Sequence, residues 1–440
     1  MFPFKTTLIV CAGAAILFAE SRLCLAADDS GDLKQQLDLL LKQNSALQET
    51  VRQQQSVIEN LNRRVDDIER AAEAPAKVLP NEPTASGGVK VGRVTIGGEG
   101  GLAIFSGQAN SAFPDTQFRV DEARLFVESP VWGDVYFFSE INLSTREDDG
   151  LEVTLGELYL DFEDISKLWG ESRQLNLRVG RIDIPFGEEY LYRDVIDNPL
   201  ISHSLTDSWG VDEGIELYGS LGKFSYVVAV QNGGVPGTSD ANDDKSVAGR
   251  ISYDPNHWLH LSLSAMRTGD LDVNEDYLSE MWFGGGWFRS IGSSATTEFH
   301  STLVQSDVAL KFSRGHVRAF GGYAQYDDND PNADNKRNFY YYSVEGLLDV
   351  TKKFYTAARF GQIFVNGGYP LPGQGNMGEY FFNPFGPQAQ ELWRFTVGVG
   401  YRFSPRLIVK TEYSFEGGKE VGGATRDDVN IFAAEAAFGF

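Results

Sequence analysis

One long segment of the chain, residues 184–212, contains a close group of charged side chains. Glu188, Glu189 and Arg193 lie close together in it, and carboxylates beside a guanidinium can attract, orient or repel charged solutes. The segment also holds His203 next to Ser204, but a lone histidine in a loop is more often a surface residue than a catalyst. The pattern favours electrostatic selection over bond chemistry.

Sequence motifs of enzymes are absent. No Gly-x-Ser-x-Gly, His-Glu-x-x-His or phosphate-loop motif occurs in the sequence. We therefore expect no catalytic residue and no cofactor, and an enzyme built on this chain is the least favoured hypothesis.

An acidic segment, residues 327–335, raises the question of calcium. Asp327, Asp328, Asp330 and Asp334 supply carboxylate oxygens, but Pro331 and the lack of a downstream bidentate glutamate depart from an EF-hand loop. A solvated loop is the favoured interpretation, and no metal site is predicted.

Segments of alternating polarity must position these charges. Residues 392–403 place large apolar groups on one face and polar or small groups on the other, since side chains alternate along a strand with a period of two. The first face has Trp393, Phe395, Val397, Val399, Tyr401 and Phe403; the second has Arg394, Thr396, Gly398, Gly400 and Arg402. Residues 430–440 repeat the pattern up to the terminal Phe440. An outer face so apolar indicates contact with lipid, although the last segment alone would also suit a soluble sandwich.

About sixteen such segments follow one another after residue 89, joined alternately by tight turns and long polar connections. Tight turns fall at 130–134, 221–223, 255–257, 314–315, 351–353 and 404–405; long connections fall at 184–212, 233–245, 269–297, 328–338 and 366–391. Short turns at one end and long loops at the other are typical of outer-membrane barrels, and sixteen strands leave an aqueous lumen. The predicted fold class is all-β: an antiparallel transmembrane β-barrel.

By alternation, the inner face of this barrel carries charges of both signs. The cations are Arg124, Arg178, Arg250, Arg359, Arg394, Arg402 and Lys410; the acids include Glu122, Glu140, Glu157, Asp161 and Glu412. Rings of arginine or lysine suit an anion pore, whereas mixed charges across a water-filled pore orient polar solutes without strong ion selection. These charges could equally pair across strands and stiffen the wall.

Residues 179–188 carry a family resemblance. This stretch, Val179, Gly180 and Arg181 leading into Ile184, Pro185, Phe186, Gly187 and Glu188, matches a Gly-x-x-x-x-Pro-Phe-Gly-x-Glu block, and residues 209–219 continue the fit. The chain here resembles the phosphate-selective porin O and P family, and the resemblance covers roughly residues 89–440. It implies a trimeric, sixteen-stranded channel whose third external loop folds inward and narrows the pore. The constriction would then include Glu188, Glu189, Arg181 and Arg193.

The N-terminal residues predict export. Lys5, an apolar run over residues 7–19 and small residues before Ala27 are typical of a signal peptide spanning residues 1–26. Cys11 and Cys24 are the only cysteines, so the mature chain can form no disulfide.

Residues 27–73 predict a coiled coil. Apolar residues recur at alternating spacings of four and three from Leu33 to Ile68, and Asn44 falls at a seam position, where a buried amide fixes register. So narrow an apolar stripe needs a partner helix, which favours self-association over disorder. Residues 74–88, rich in Pro and Gly, form a linker to the barrel at 89–440. With short turns on the periplasmic side and an even number of strands, both ends of the barrel are expected in the periplasm, and so is the coil.

Composition limits the partners. Acidic residues number 62 against 38 basic ones, a formal charge of −24, which argues against nucleic acid. The leading hypothesis is a passive channel for small polar solutes or ions in the bacterial outer membrane, surrounded by lipid and assembled as a homotrimer. The alternative is a structural anchor whose coiled coil tethers the membrane to the cell wall.

Overall fold

The structure is a computed structural model that describes residues 88–144, 153–208, 210–233, 240, 243–272, 295–369 and 389–440. The predicted signal peptide, the coiled coil and residues 74–87 of the linker lie outside the described residues. The sheet described below belongs to the compact unit Pro75–Phe440.

One antiparallel sheet accounts for nearly all of the regular structure. It contains nineteen strands, of which three, Val89–Val91, Leu271–Asp272 and Thr425–Arg426, are two or three residues long and extend their neighbours. The sixteen long strands are β1 Val94–Gly107, β2 Gln117–Trp132, β3 Val135–Ser144, β4 Thr154–Phe162, β5 Asn176–Asp183, β6 Val211–Leu221, β7 Phe224–Gln231, β8 Ser246–Asn256, β9 Leu259–Arg267, β10 Glu298–Phe312, β11 Gly315–Asp328, β12 Arg337–Asp349, β13 Phe354–Tyr369, β14 Ala389–Ser404, β15 Leu407–Glu420 and β16 Ile431–Gly439.

The sheet closes on itself. Each long strand pairs with the next along the chain, and β16 pairs with β1 from Ile431 opposite Gly107 to Gly439 opposite Glu99. Phe440 completes the seam with two backbone hydrogen bonds to Gly98. The Phe440 N–H donates to the Gly98 carbonyl, and the Gly98 N–H donates to the Phe440 carbonyl. The prediction of a barrel of about sixteen strands is confirmed.

The described helices are short. They are two 3-10 turns, Ile165–Trp169 and Glu189–Leu191. Within the described part of the chain, no helix has the length and hydropathy needed to cross a membrane.

One strand is longer than the sequence predicts. Strand β10 begins at Glu298, whereas the alternating pattern in the sequence predicts a strand only over residues 306–313. The early residues carry polar groups on both faces, Ser301 inward and His300 outward, which hides the period of two. This part of β10 nevertheless pairs with β11 from Phe299 opposite Asp328 onward, because backbone pairing continues beyond the apolar belt.

The outer face of the barrel is an apolar belt with an aromatic border at each end. Aliphatic side chains such as Ile251 and Leu263 fill the middle. Exposed aromatics near the short connections are Trp132, Phe224, Phe312, Phe403 and Phe440; those near the long connections are Phe118, Tyr340, Phe364, Phe415 and Phe432. Two aromatic girdles around an aliphatic band are the pattern of a barrel that crosses a membrane.

An apolar core lies inside the barrel at the end with the long connections. The fully buried rings of Phe105, Phe299, Tyr326 and Phe339 belong to it, and these residues lie near the ends of four different strands. The predicted lumen is therefore packed with side chains at this end, and the charged inner residues lie nearer the middle.

Candidate functional site: a loop bound inside the barrel

The connection between β5 and β6, residues 184–210, lies within the barrel and is called the inner loop here. Ile184, Phe186, Ile201 and Leu205 are each 2 % exposed or less and belong to the same apolar core as inward residues of the wall. Outer-face residues cannot contribute to such a core, so the loop occupies the interior. Residue 209 is outside the described part of the loop.

Glycines allow the loop to approach the wall. Gly187 has a φ of +70°, which favours glycine, and a Cβ there would lie 2.6 Å from the Nε2 atom of Gln305 on β10. A Cβ on Gly398 of β14 would lie 2.6 Å from a methyl group of Leu200 in the loop. The Pro185–Phe186–Gly187 sequence thus starts a turn directed at the wall.

Lys410 of β15 binds the tip of the inner loop. Its buried ammonium donates to the carbonyl oxygens of Val195, Asn198 and Leu200 at 2.9, 3.3 and 3.0 Å. The same group lies 2.9 Å from the carboxylate of Glu435 on β16. One charged side chain therefore joins three points of the loop to two strands.

Two further wall residues bind the adjoining stretch of loop. Glu412 of β15 accepts from the amides of Ile201 and Ser202 at 2.6 and 3.1 Å. Arg359 of β13 donates to the Ser202 carbonyl at 2.7 Å and, through Nε, to Glu345 of β12 at 2.9 Å. Buried loop amides and carbonyls thus receive charged partners, which avoids the cost of desolvating them unpaired.

Arg394 and Tyr355 extend this contact. Arg394 donates to Glu416 at 2.7 Å and to the His203 carbonyl at 3.5 Å. The hydroxyl of Tyr355 donates to the Pro199 carbonyl at 3.0 Å. The wall formed by β13, β14 and β15 therefore binds the loop from residue 195 to residue 203.

The start of the loop is bound by the opposite wall. Glu188 accepts from His260 of β9 at 2.8 Å and from Ser252 of β8 at 3.2 Å, and the other nitrogen of His260 contacts Asp254 at 2.7 Å. Arg250 of β8 lies 3.6 Å from Glu188. Burial alone would raise the pKa of Glu188, but the hydrogen bond from His260 and the charge of Arg250 lower it, so this carboxylate stays ionised.

Arg124 of β2 lies among four carboxylates. Asp194 of the loop and Glu122 of β2 are each 2.9 Å from its guanidinium. Glu99 of β1 is 3.4 Å away and Glu140 of β3 is 3.8 Å away. We call Glu99, Glu122, Glu140 and Asp194 the acidic sector.

Within the loop, ionic side chains bind one another. Arg193 donates to Asp207 at 2.9 Å, and His203 lies 3.1 Å from the same carboxylate. Burial opposes ionisation of Asp207, but the Arg193 charge and the His203 hydrogen bond hold its pKa well below the usual value. Glu189 accepts from the Ser204 amide at 2.8 Å. Burial, together with the nearby Asp207 charge, raises the pKa of Glu189 to about 7.

Arg178 of β5 belongs to the wall network. It donates to Asp161 of β4 at 2.8 Å and to Glu216 of β6 at 3.3 Å. Its guanidinium lies over the rings of Tyr218 and Tyr159, 4.5 and 5.0 Å from their centroids. This cation has partners on both neighbouring strands, so it stabilises the wall.

Arg181 differs from the other predicted pore residues. In the strand register it shares a row with Leu158 and Glu213, and it donates to Glu213 at 2.9 Å. This row alternates with the inward row that contains Arg178. The period of two therefore places Arg181 in the row opposite to that of Arg178, with the residue 8% exposed, and its place at the pore stays a prediction.

The structure brings most of the remaining predicted site residues to the interior. Glu188, Glu189 and Arg193 belong to the inner loop; the inward wall residues are Arg124, Arg178, Arg250, Arg359, Arg394, Arg402 and Lys410. Arg402 lies apart, near the short connections, where it donates to Asp349 at 2.8 Å.

Sequence reasoning did not identify His260 or Tyr355 as loop contacts. Both lie on the inward row of a predicted strand, so alternation would have placed them inside. Only the tertiary contact shows what they bind.

Metal binding receives no support from the described residues, where no group of His, Cys, Asp or Glu is arranged to hold a metal ion. In the acidic segment after β11, Asp328 accepts from the side chain of Asn335 at 2.9 Å, and Asp330 accepts from the Asn332 amide at 2.8 Å. These carboxylates accept hydrogen bonds from their own loop.

Solved structures with the same architecture are outer-membrane proteins. OmpT, an outer membrane protein of Vibrio cholerae, has 11% sequence identity and a TM-score of 0.52, over 80% of this chain and 99% of its own. The outer membrane channel DcaP of Acinetobacter baumannii has 12% identity and a TM-score of 0.52 over the same shares. This chain has their barrel fold. A trimer form of the Vibrio cholerae protein matches at 12% identity and a TM-score of 0.50, over 79% of this chain and 99% of its own.

Sequence comparison is less informative. No protein-family model matches the chain, and no curated protein sequence matches it. The solved structures establish the outer-membrane barrel fold. Membership of the phosphate-selective porin O and P family is not confirmed.

Proposed function

We propose that this chain is a porin, a passive channel for small hydrophilic solutes or ions in the bacterial outer membrane. The inner loop carries the proposal, because it is bound inside the barrel by charged residues of opposite walls, Lys410 and Arg359 on one side and His260 on the other. A loop used only as a surface connection would not need these contacts. The apolar belt with two aromatic girdles supports the membrane location.

The proposed mechanism is filtration without catalysis. The inner loop reduces the cross-section available to a solute, and the charges around it select by sign and size. Phosphate selectivity is not favoured, since Arg178, Arg359, Arg394 and Lys410 are buried and each contacts a carboxylate. The OmpT trimer form supports a homotrimer as the assembly of this chain.

Single-channel recording in planar lipid bilayers tests the proposal. The purified, folded full-length protein should produce stepwise increases in current, and the same preparation after heat denaturation should produce none. Folded protein that inserts without any conductance would contradict the channel function. That result would leave the anchor hypothesis, in which the coiled coil of residues 27–73 contacts the cell wall.

A further inference from the structure

We propose that the channel prefers small cations to anions, and that the acidic sector sets this preference. The inference rests on the proposed channel function and adds the class of solute.

The acidic sector has more negative than positive groups. Its four carboxylates, Glu99, Glu122, Glu140 and Asp194, lie within 3.8 Å of the guanidinium of Arg124, and His203 lies 3.6 Å from Glu122. If three of the four are ionised, this side of the interior is net negative even when His203 is protonated. Carboxylates lining a low-dielectric cleft raise the local concentration of cations.

One member of the sector reaches water. The Asp194 side chain is 33% exposed, whereas the Glu99 side chain is 10% exposed, as is that of Arg124, and the Oε1 atom of Glu99 is buried. Asp197, three residues further along the loop, is also exposed. These groups can therefore act on a passing ion directly, which a fully buried carboxylate cannot do.

Cations on the facing wall are held against carboxylates. Arg359 pairs with Glu345 of β12, which also lies 3.6 Å from Arg318. Arg394 pairs with Glu416 of β15 at 2.7 Å, which also lies 3.6 Å from Arg426. Arg359, Arg394 and both carboxylates are nearly completely buried, so these ion pairs hold the loop and present little positive field to an ion in the lumen.

Charges near the short connections do not reverse the balance. Arg402 contacts Asp349 at 2.8 Å, and both side chains are about one-third exposed. Arg318 is partly exposed and lies 3.6 Å from Glu345, while Asp254 of the opposite wall is also partly exposed. Since the signs balance at this end, the acidic sector decides the selectivity.

Reversal potentials in a tenfold gradient of KCl across a planar bilayer test the inference. We expect the potassium permeability of the wild-type channel to be about three times its chloride permeability, and Asp194→Asn to reduce this permeability ratio by about half. Glu99→Gln should also lower the permeability ratio. Asp134→Asn is the matched control, because Asp134 is an exposed residue of the short turn after β2, paired with Lys167.

The outcomes separate the two proposals. Conductance with a potassium-to-chloride ratio of one or less, or a ratio unchanged in both sector variants, would overturn the cation preference and leave the channel function standing. Folded protein without conductance would overturn the channel function and this inference together. Heat-modifiable electrophoretic mobility shows that each variant is folded, and Glu99→Gln provides the test if Asp194→Asn does not fold.

Discussion

At the scale of single residues, Lys410 joins the inner loop to the barrel. Its ammonium satisfies three loop carbonyls and neutralises Glu435 in the same buried place. A hydrogen bond to a charged group is worth more than a neutral one, and a buried charge that loses its partner is costly.

Lys410→Met should therefore loosen the loop. It removes the three contacts and leaves Glu435 buried without this ammonium, a change that typically costs about 3–5 kcal/mol. We expect a larger single-channel conductance with more open-channel noise. Lys352→Met, on the exposed turn after β12, is the control. Currents identical to those of the control would argue against a positioning role for Lys410.

Glu189 predicts a dependence on pH. Burial and Asp207 raise its pKa to about 7, above the value of an unfolded chain, so its protonated form favours the bound loop. That contribution is complete below the unfolded pKa and is lost as the pH rises through about 7. Open-channel noise should increase between about pH 6 and pH 8.5.

Glu189→Gln should abolish this increase in noise. The side-chain oxygen of the glutamine still accepts from the Ser204 amide, but the glutamine does not titrate. Glu171→Gln, an exposed change in the connection after β4, should behave as wild type. Equal pH dependence in the Glu189 variant and the wild type would assign the effect to another group.

At the scale of elements, the fit between the loop and β14 depends on glycine. A Cβ on Gly398 would lie 2.6 Å from Leu200 and 2.8 Å from the backbone oxygen of Thr411. The backbone oxygen cannot move aside as easily as a side chain, so the strand or the loop must shift. Close packing inside the barrel is thus set by a wall residue with no side chain.

Gly398→Ala should lower the free energy of unfolding by about 1–3 kcal/mol, the usual cost of overpacking. Urea unfolding followed by tryptophan fluorescence measures it. Gly422→Ala is the matched control, because a Cβ there meets no heavy atom within 4 Å, and it should change stability by less than about 0.5 kcal/mol. Equal stability of the two variants would show that the loop adapts freely.

The strands were largely predictable, and their contacts with the loop were not. Residues 392–403 have the outward and inward sets that alternation predicts, because the period of two follows from backbone geometry alone. The same rule indicates that Arg394 and Lys410 face inward. It does not say which carbonyl each will bind, since that depends on a loop more than 180 residues away in sequence.

At the scale of the whole molecule, sixteen strands enclose a wide interior that side chains alone do not fill. The inner loop and the apolar core at the long-connection end occupy much of it. In the proposed channel, the loop rather than the number of strands sets the access of a solute. This is why the proposed constriction belongs to the assembled barrel and to no single segment.

Assembly is expected to involve the N-terminal heptads, which lie outside the described residues. Deleting residues 33–68 should reduce or abolish the oligomer, because the apolar seam that needs a partner helix is lost. Native gels and mass measurement, with the full-length chain as the reference, test this. An oligomer of the same subunit number after the deletion would contradict an assembly role for the coil.

The sequence by itself determined the class of fold, the approximate number of strands and the side of the wall on which most charges lie. These follow from local rules, namely the period of two along a strand and the alternation of short and long connections. Tertiary structure alone decided that His260 binds Glu188 and that Lys410 binds the loop tip. Such contacts join residues distant in sequence, and burial fixes their partners only when the closed barrel brings them together.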